Sequence, residues 1–149
     1  MEYYFAPMEG ITGAEYRAVH HRHFPGVDRY YMPFITPTQD RVFTPRELRN
    51  ISPERNAGYR AVPQLLTKNA GDFNWAAGEL FAMGYDEVDL NLGCPSGTVT
   101  AKGKGAGMLA DLEGLDRFLD GIFSAARGKI SVKTRLGLRD PEEIFPLVE

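Results

Sequence analysis

Apolar and polar residues trade places along this chain in two rhythms. Five short stretches have the pattern of extended strands: Tyr3 to Ala6, Arg29 to Phe34, Ala61 to Leu66, Glu87 to Leu92 and Lys129 to Thr134. The alternation is clearest in Val88, Leu90 and Leu92. Between the strands, apolar residues recur on one helical face. Asn69 opens a helix with Phe73, Ala76, Ala77, Leu80 and Phe81 on one side, closed by Gly84. Asp111 opens another, with Leu115, Phe118, Leu119, Ile122, Phe123 and Ala126 on its stripe and Gly128 at its end. Thr12 with Glu15, and Thr44 with Pro45 and Glu47, read as capping boxes. Asp140-Pro141-Glu142-Glu143 opens a last helix close to Glu149.

Strands alternating with amphipathic helices imply an α/β fold whose parallel strands are joined by right-handed crossovers. A doubly wound sheet and an eightfold barrel share that rhythm. The glycine fingerprint of the former is missing after the first strand, where Ala6-Pro7-Met8-Glu9-Gly10 stands instead. Polar and special residues gather at the carboxyl ends of the strands, as in a (β/α)8 TIM-type barrel. Such a barrel takes about 250 residues. Five strands in 149 residues therefore predict that residues 1–149 are the N-terminal portion of one, truncated after about five strands. An open parallel sheet with unpaired edges is at risk of self-association.

Composition narrows the class. Hydrophobic content of 43% and charged content of 25% are those of a water-soluble globular protein. No run is long enough to span a membrane, and the start, Met1-Glu2-Tyr3-Tyr4, lacks a basic region followed by an apolar one. A single cysteine makes no internal disulfide, which fits a cytoplasmic location. A net charge of −3 argues against a polycation, although local basic patches remain compatible with it.

The chemistry concentrates at a few strand ends. That one cysteine, Cys94, follows the fourth strand in Asp89-Leu90-Asn91-Leu92-Gly93-Cys94-Pro95-Ser96, where glycine and proline turn the backbone beside Asn91. A free cysteine is more often a small buried hydrophobe, but this turn and its asparagine favour a reactive one. After the first strand, Pro7 and Met8 offer a soft surface for a flat ligand, or Met8 simply fills the core. Gln64 inside an apolar strand needs its amide satisfied, by a pyrimidine-like edge or by a neighbouring strand. Lys133 in the fifth strand points to an anion, to a Schiff-base lysine, or to solvent. The sixteen residues from Pro95 to Ala110 carry Lys102-Gly103-Lys104-Gly105-Ala106-Gly107, suited to phosphate contact or to a mobile solvated loop. His20, His21 and His23 have no carboxylate or cysteine at ligand spacing, so no metal site is expected and a solvated helix end is the reading.

Taken in order, Ala6-Pro7-Met8-Glu9-Gly10, Pro63-Gln64-Leu65, Leu90 to Ser96, Gly103 to Leu109 and Val132-Lys133-Thr134-Arg135 resemble the tRNA-dihydrouridine synthase family, from Ala6 to Gly137. The resemblance implies an FMN-dependent barrel that reduces the 5,6 double bond of specific tRNA uridines with electrons from NADPH. It implies that Pro7, Met8 and Glu9 border the flavin, that Gln64 meets its pyrimidine edge, and that Lys133 faces the ring where negative charge collects. Asn91 would hold the uracil and Cys94 would protonate carbon 5, with Lys102, Lys104 and Arg135 on the substrate side. An ordinary thiol, of pKa about 8.5, is mostly protonated at neutral pH and suits an acid. Two enzymatic alternatives stay open: an FMN barrel of the dihydroorotate or dihydropyrimidine dehydrogenase type acting on free pyrimidines, and a lysine-dependent aldolase. A domain without activity of its own is the third.

Overall fold

Among the described residues every strand is parallel to its hydrogen-bonded neighbours, and within each sheet the strands lie in the order in which the chain makes them. The computed structural model describes residues 1–148. Strand β1 (Tyr4–Phe5) is followed by helix α1 (Ala14–His23), then β2 (Arg29–Tyr31), α2 (Pro45–Ile51), β3 (Ala61–Val62), β4 (Gln64–Leu65), α3 (Ala70–Ala82) and β5 (Glu87–Asn91). Then come a short α4 (Gly97–Thr100), α5 (Leu112–Phe123), β6 (Lys129–Lys133) and α6 (Phe145–Val148), with 3-10 turns at Pro53–Asn56, Gly105–Ala110 and Pro141–Ile144.

The third predicted strand is split. Pro63 has no N–H to give to a ladder, so β3 pairs with β2 on one side of it and β4 pairs with β5 on the other. The carbonyl of Pro63 still accepts from Asp89 N at 2.8 Å, and Gln64 O accepts from Ile35 N at 2.8 Å. The chain therefore passes from one three-stranded sheet to the next without reversing strand order. A doubly wound sheet would require such a reversal.

The alternation in β5 sorts its side chains onto two faces. Val88, Leu90 and Leu92 share the hydrophobic core with Phe73, Ala76, Ala77 and Leu80 of α3 and Leu115, Phe118 and Ile122 of α5. The opposite face carries Glu87, Asp89 and Asn91, and it too is buried. The predicted stripe of α5 is narrower than expected: Phe123 is exposed, and Ala126 lies beyond the helix end.

Capping explains most helix starts. Thr44 and Glu47 form the predicted box, Asn69 accepts from Asp72 N at 3.0 Å, and Asp111 accepts from Gly114 N at 2.9 Å. Asp140 and Glu143 form a second box at the last turn. The Thr12–Glu15 box is not formed. Gly13 is the N-cap of α1, and the Thr12 hydroxyl turns back to Met8, accepting from its N–H at 2.8 Å and donating to its carbonyl at 3.2 Å. Glu15 instead pairs with Arg55.

The histidines do not form a solvated helix end. The His20 ring lies 4.5 Å from Phe5 and 4.8 Å from Phe24, with Nδ1 3.0 Å from the Tyr30 hydroxyl, and His21 packs 5.4 Å from Tyr59. Both dock α1 onto the strands, while His23 is exposed. Among the described residues no cluster of histidine, cysteine and carboxylate groups could hold a metal, and no helix is long and apolar enough to cross a membrane.

Candidate active site

At the carboxyl end of β5 the polar face becomes a directed chain of hydrogen bonds. Ser131 on β6 donates to Asp89 Oδ1 at 2.8 Å, and Gln64 Nε2 on β4 donates to Asp89 Oδ2 at 2.6 Å. Asn91 Nδ2 in turn donates to Gln64 Oε1 at 2.8 Å. Asn91 Oδ1 accepts from the backbone N–H of Cys94 at 2.9 Å and of Gly93 at 3.2 Å. The asparagine thus caps the turn after the strand, a use of its short amide that is common in loops. Burial pushes the Asp89 carboxyl up to about 7, even though the hydrogen bonds from Gln64 and Ser131 and the charge of Lys133 pull it down.

The far side of the turn is held by the glycine-rich segment. Ala106 N donates to Cys94 O at 3.1 Å. Gly105 has φ +55°, and a Cβ there would stand 2.9 Å from Cys94 O and from Val99 Cγ1. At Gly107 a Cβ would stand 2.8 Å from Thr100 O. These glycines let two backbones touch. Of the two readings of this segment, the mobile solvated loop does not hold: it folds into α4 and a 3-10 turn, with Gly105, Ala106, Met108 and Leu109 buried.

The family model for dihydrouridine synthase (Dus) matches residues 4–149. This chain belongs to the dihydrouridine synthase family. Among curated relatives, a probable tRNA-dihydrouridine synthase 1 of Synechocystis sp. is 28% identical over 138 residues, which cover 92% of this chain and 38% of the relative. The tRNA-dihydrouridine(16) synthase of Ralstonia nicotianae is 32% identical over 143 residues, 91% of this chain and 43% of the relative. A probable tRNA-dihydrouridine synthase of Staphylococcus epidermidis is 44% identical over 62 residues, 41% of this chain and 18% of the relative. The chain spans about two fifths of the length of the first two relatives.

In this chain, Gln64, Asn91 and Cys94 are joined directly, and Lys133 stands beside Asn91 as its register partner on β6. Lys133 is exposed, and it lines a cavity of about 500 Å³ with Asp89, Ser131, Tyr31 and Ala6. Pro7 follows Ala6 at that rim, and the turn locked by Thr12 leaves Met8 56% exposed. Met8 is thus not a core residue. Glu9 lines a different cavity with Tyr16, Phe34 and Arg49. Arg135 and Lys102 are exposed and Lys104 half-buried, outside the hydrogen-bonded chain.

Two acids escaped the reading of the sequence. Asp89 and Glu87 lie on the polar face of β5, both buried. Glu87 accepts ion pairs from Arg29 at 3.0 Å, Arg60 at 3.2 Å and Lys129 at 3.2 Å. Burial pushes the Glu87 carboxyl up, but its hydroxyl and cationic partners outweigh this and hold it below the usual range. The signal was the spacing Glu87, Asp89, Asn91 between Val88, Leu90 and Leu92. In a strand covered on both faces, that alternation means a buried polar row.

Proposed function

We propose that this chain supplies the first strands of a TIM-type barrel that binds FMN and reduces uridine in tRNA to 5,6-dihydrouridine, with NADPH as electron donor. The observation that carries this reading is the Asn91–Cys94 turn at a strand's carboxyl end in a chain of this family. Parallel strands in chain order support the barrel.

The residues present fit a flavin. Gln64 uses one N–H on Asp89 and one lone pair for Asn91 and is fully buried; a second N–H and lone pair, the pair that a pyrimidine edge would take, are left over. Among the described residues no carboxylate pairs with Lys133, so its ammonium is available to negative charge. The neighbouring cavity has the size of a small-molecule site. Pro7 and Met8 would border the ring at the rim. FMN, when bound, supplies hydride.

The chain's own residues do the rest. Cys94 holds a proton at Sγ for carbon 5 of the pyrimidine. Asn91 fixes the turn that carries Cys94 and has a second amide hydrogen for the uracil. Lys102, Lys104 and Arg135 serve the negatively charged RNA backbone. Lys133 is exposed at its strand end, which favours an anion as its partner over a Schiff-base role in a desolvated pocket.

The test is an assay of a full-length protein that contains this chain, with FMN, NADPH and tRNA lacking dihydrouridine; residues 1–149 alone are expected to be inactive. Conversion of specific uridines, dependent on both FMN and NADPH, is the expected result. Reduction of a free pyrimidine with none on tRNA would instead favour the dehydrogenase reading.

A further inference from the structure

The hydrogen-bonded chain behind Cys94 has a direction, and it is pinned at two ends, by the carboxylate of Asp89 and by the backbone N–H groups of Gly93 and Cys94. Each side-chain amide has a donor end and an acceptor end. An ionised carboxylate has acceptors only. Asp89 in that form demands the N–H of Gln64, at 2.6 Å. Gln64 must then turn its oxygen to Asn91, and Asn91 must donate its own N–H, at 2.8 Å. That leaves Asn91 Oδ1 for the N–H groups of Gly93 and Cys94. Were the chain reversed, the Asn91 amino group would face those two N–H groups, donor against donor.

We propose that Asp89 is a positioning residue whose ionised carboxylate fixes the orientation of Gln64 and Asn91 and so the shape of the Cys94 turn. The proposal deepens the reading above, since the turn matters for the proton that Cys94 delivers. Protonation gives Asp89 a donor, so Gln64 is no longer compelled from that end and the chain is held only by the N–H groups of Gly93 and Cys94.

The surroundings allow such a titration. Around the same cavity, Asp89 is faced by Glu87 on its own strand, Tyr4 on β1, Arg29 and Tyr31 on β2, and Lys129 and Lys133 on β6. Lys133 favours the carboxylate and Glu87 opposes it. Glu87 is held ionised by its three cations, and burial first, then the nearby Glu87 charge, pushes the Tyr31 hydroxyl upward. Neither group changes charge near neutrality, whereas Asp89, at about 7, does.

The experiment is NMR on the protein as purified, through the side-chain amides of Gln64 and Asn91 and the backbone amides of Gly93 and Cys94. In the wild type these signals should titrate together with a midpoint near 7. Hydrogen-exchange protection of the two backbone amides should rise about threefold or more as pH passes upward through it. Asp89→Asn keeps an acceptor for Gln64 and a group for Ser131. It should abolish the step and, because its amide carries a donor as the protonated acid does, leave protection at the low-pH level. Asp89→Leu should lower protection of Gly93 and Cys94 about tenfold, with Leu92 N–H, bonded to Lys133 O at 2.9 Å, as an unaffected reference. If Asp89→Leu does not fold, the wild type and Asp89→Asn still decide. A flat wild-type titration, or a step that persists in Asp89→Asn, overturns the proposal. None of these readings uses flavin or RNA, so failure of the uridine assay would leave them standing, and their failure would leave that assay standing.

Discussion

Glu87 and Asp89 sit two residues apart on one face of one strand, both fully buried, and they behave in opposite ways. Glu87, at the amino end of β5, has three cations around it and is held ionised. Asp89, one pleat closer to the carboxyl end, is met by an amide and a hydroxyl, and burial dominates its ionisation. The difference lies in the partners that neighbouring strands supply. In parallel barrels the amino-end face serves stability and the carboxyl-end face serves chemistry. On the proposed barrel reading, carboxylates of a single strand would take both roles.

The largest expected effect breaks the stable end. Glu87→Gln leaves Arg29, Arg60 and Lys129 facing one another without a counter-charge. It should cost about 2–3 kcal/mol in chemical denaturation at pH 7, below the full price of a broken buried pair because Arg60 and Lys129 keep access to solvent. A loss under about 0.5 kcal/mol would mean that the cations do not depend on Glu87.

The two acids also predict opposite pH limbs. The Asp89 carboxyl is raised in the folded state, so its contribution is full below the unfolded value of about 3.9 and is lost as pH rises to about 7. Stability should fall across that window by no more than about 1.4 kcal/mol per pH unit, then level off. The Glu87 carboxyl is lowered, so its contribution is present above the unfolded value of about 4.3 and is lost as pH falls through the folded one. Denaturation curves of Asp89→Asn should lack the decline between pH 4 and 7 and keep the acid limb. A decline of unchanged slope in Asp89→Asn would assign it to other groups.

A smaller effect probes the support of the Cys94 turn. Gly105→Ala puts a methyl group 2.9 Å from Cys94 O in a left-handed backbone conformation. A destabilisation of about 1–2 kcal/mol is expected in urea melts, with faster alkylation of Cys94 as the turn loosens. Unchanged stability and alkylation would show that the glycine-rich segment does not hold the turn.

Much of this was legible in the sequence, for reasons that differ by element. The caps at Thr44, Asn69 and Asp111 were readable because each is a local bond between residues three apart. Thr12 looked the same, but its hydroxyl found Met8 on the preceding turn, a choice that only the folded turn offers. The split at Pro63 follows from a missing donor, yet which neighbour pairs on each side depends on β2 and β5. Gln64 was singled out, and one of its two readings, a bond to a neighbouring strand, is what the fold shows. Asp89 and Glu87 were given no role, because alternation reports two faces of a strand without saying what covers the second. The glycines at 105 and 107 suggested phosphate, whereas their bare Cα atoms admit the backbone of Cys94 and Thr100.

The most direct test of the account is single-turnover reduction of tRNA by the full-length protein containing this chain and carrying prereduced flavin, compared between wild type and Cys94→Ala. A general acid contributes about 10²–10⁴-fold. Cys94→Ala should therefore still accept electrons from NADPH at the wild-type rate while its transfer to uridine falls by about that factor. Dihydrouridine formation at the wild-type rate in Cys94→Ala would contradict the assignment of the carboxyl end of β5 as the reaction centre.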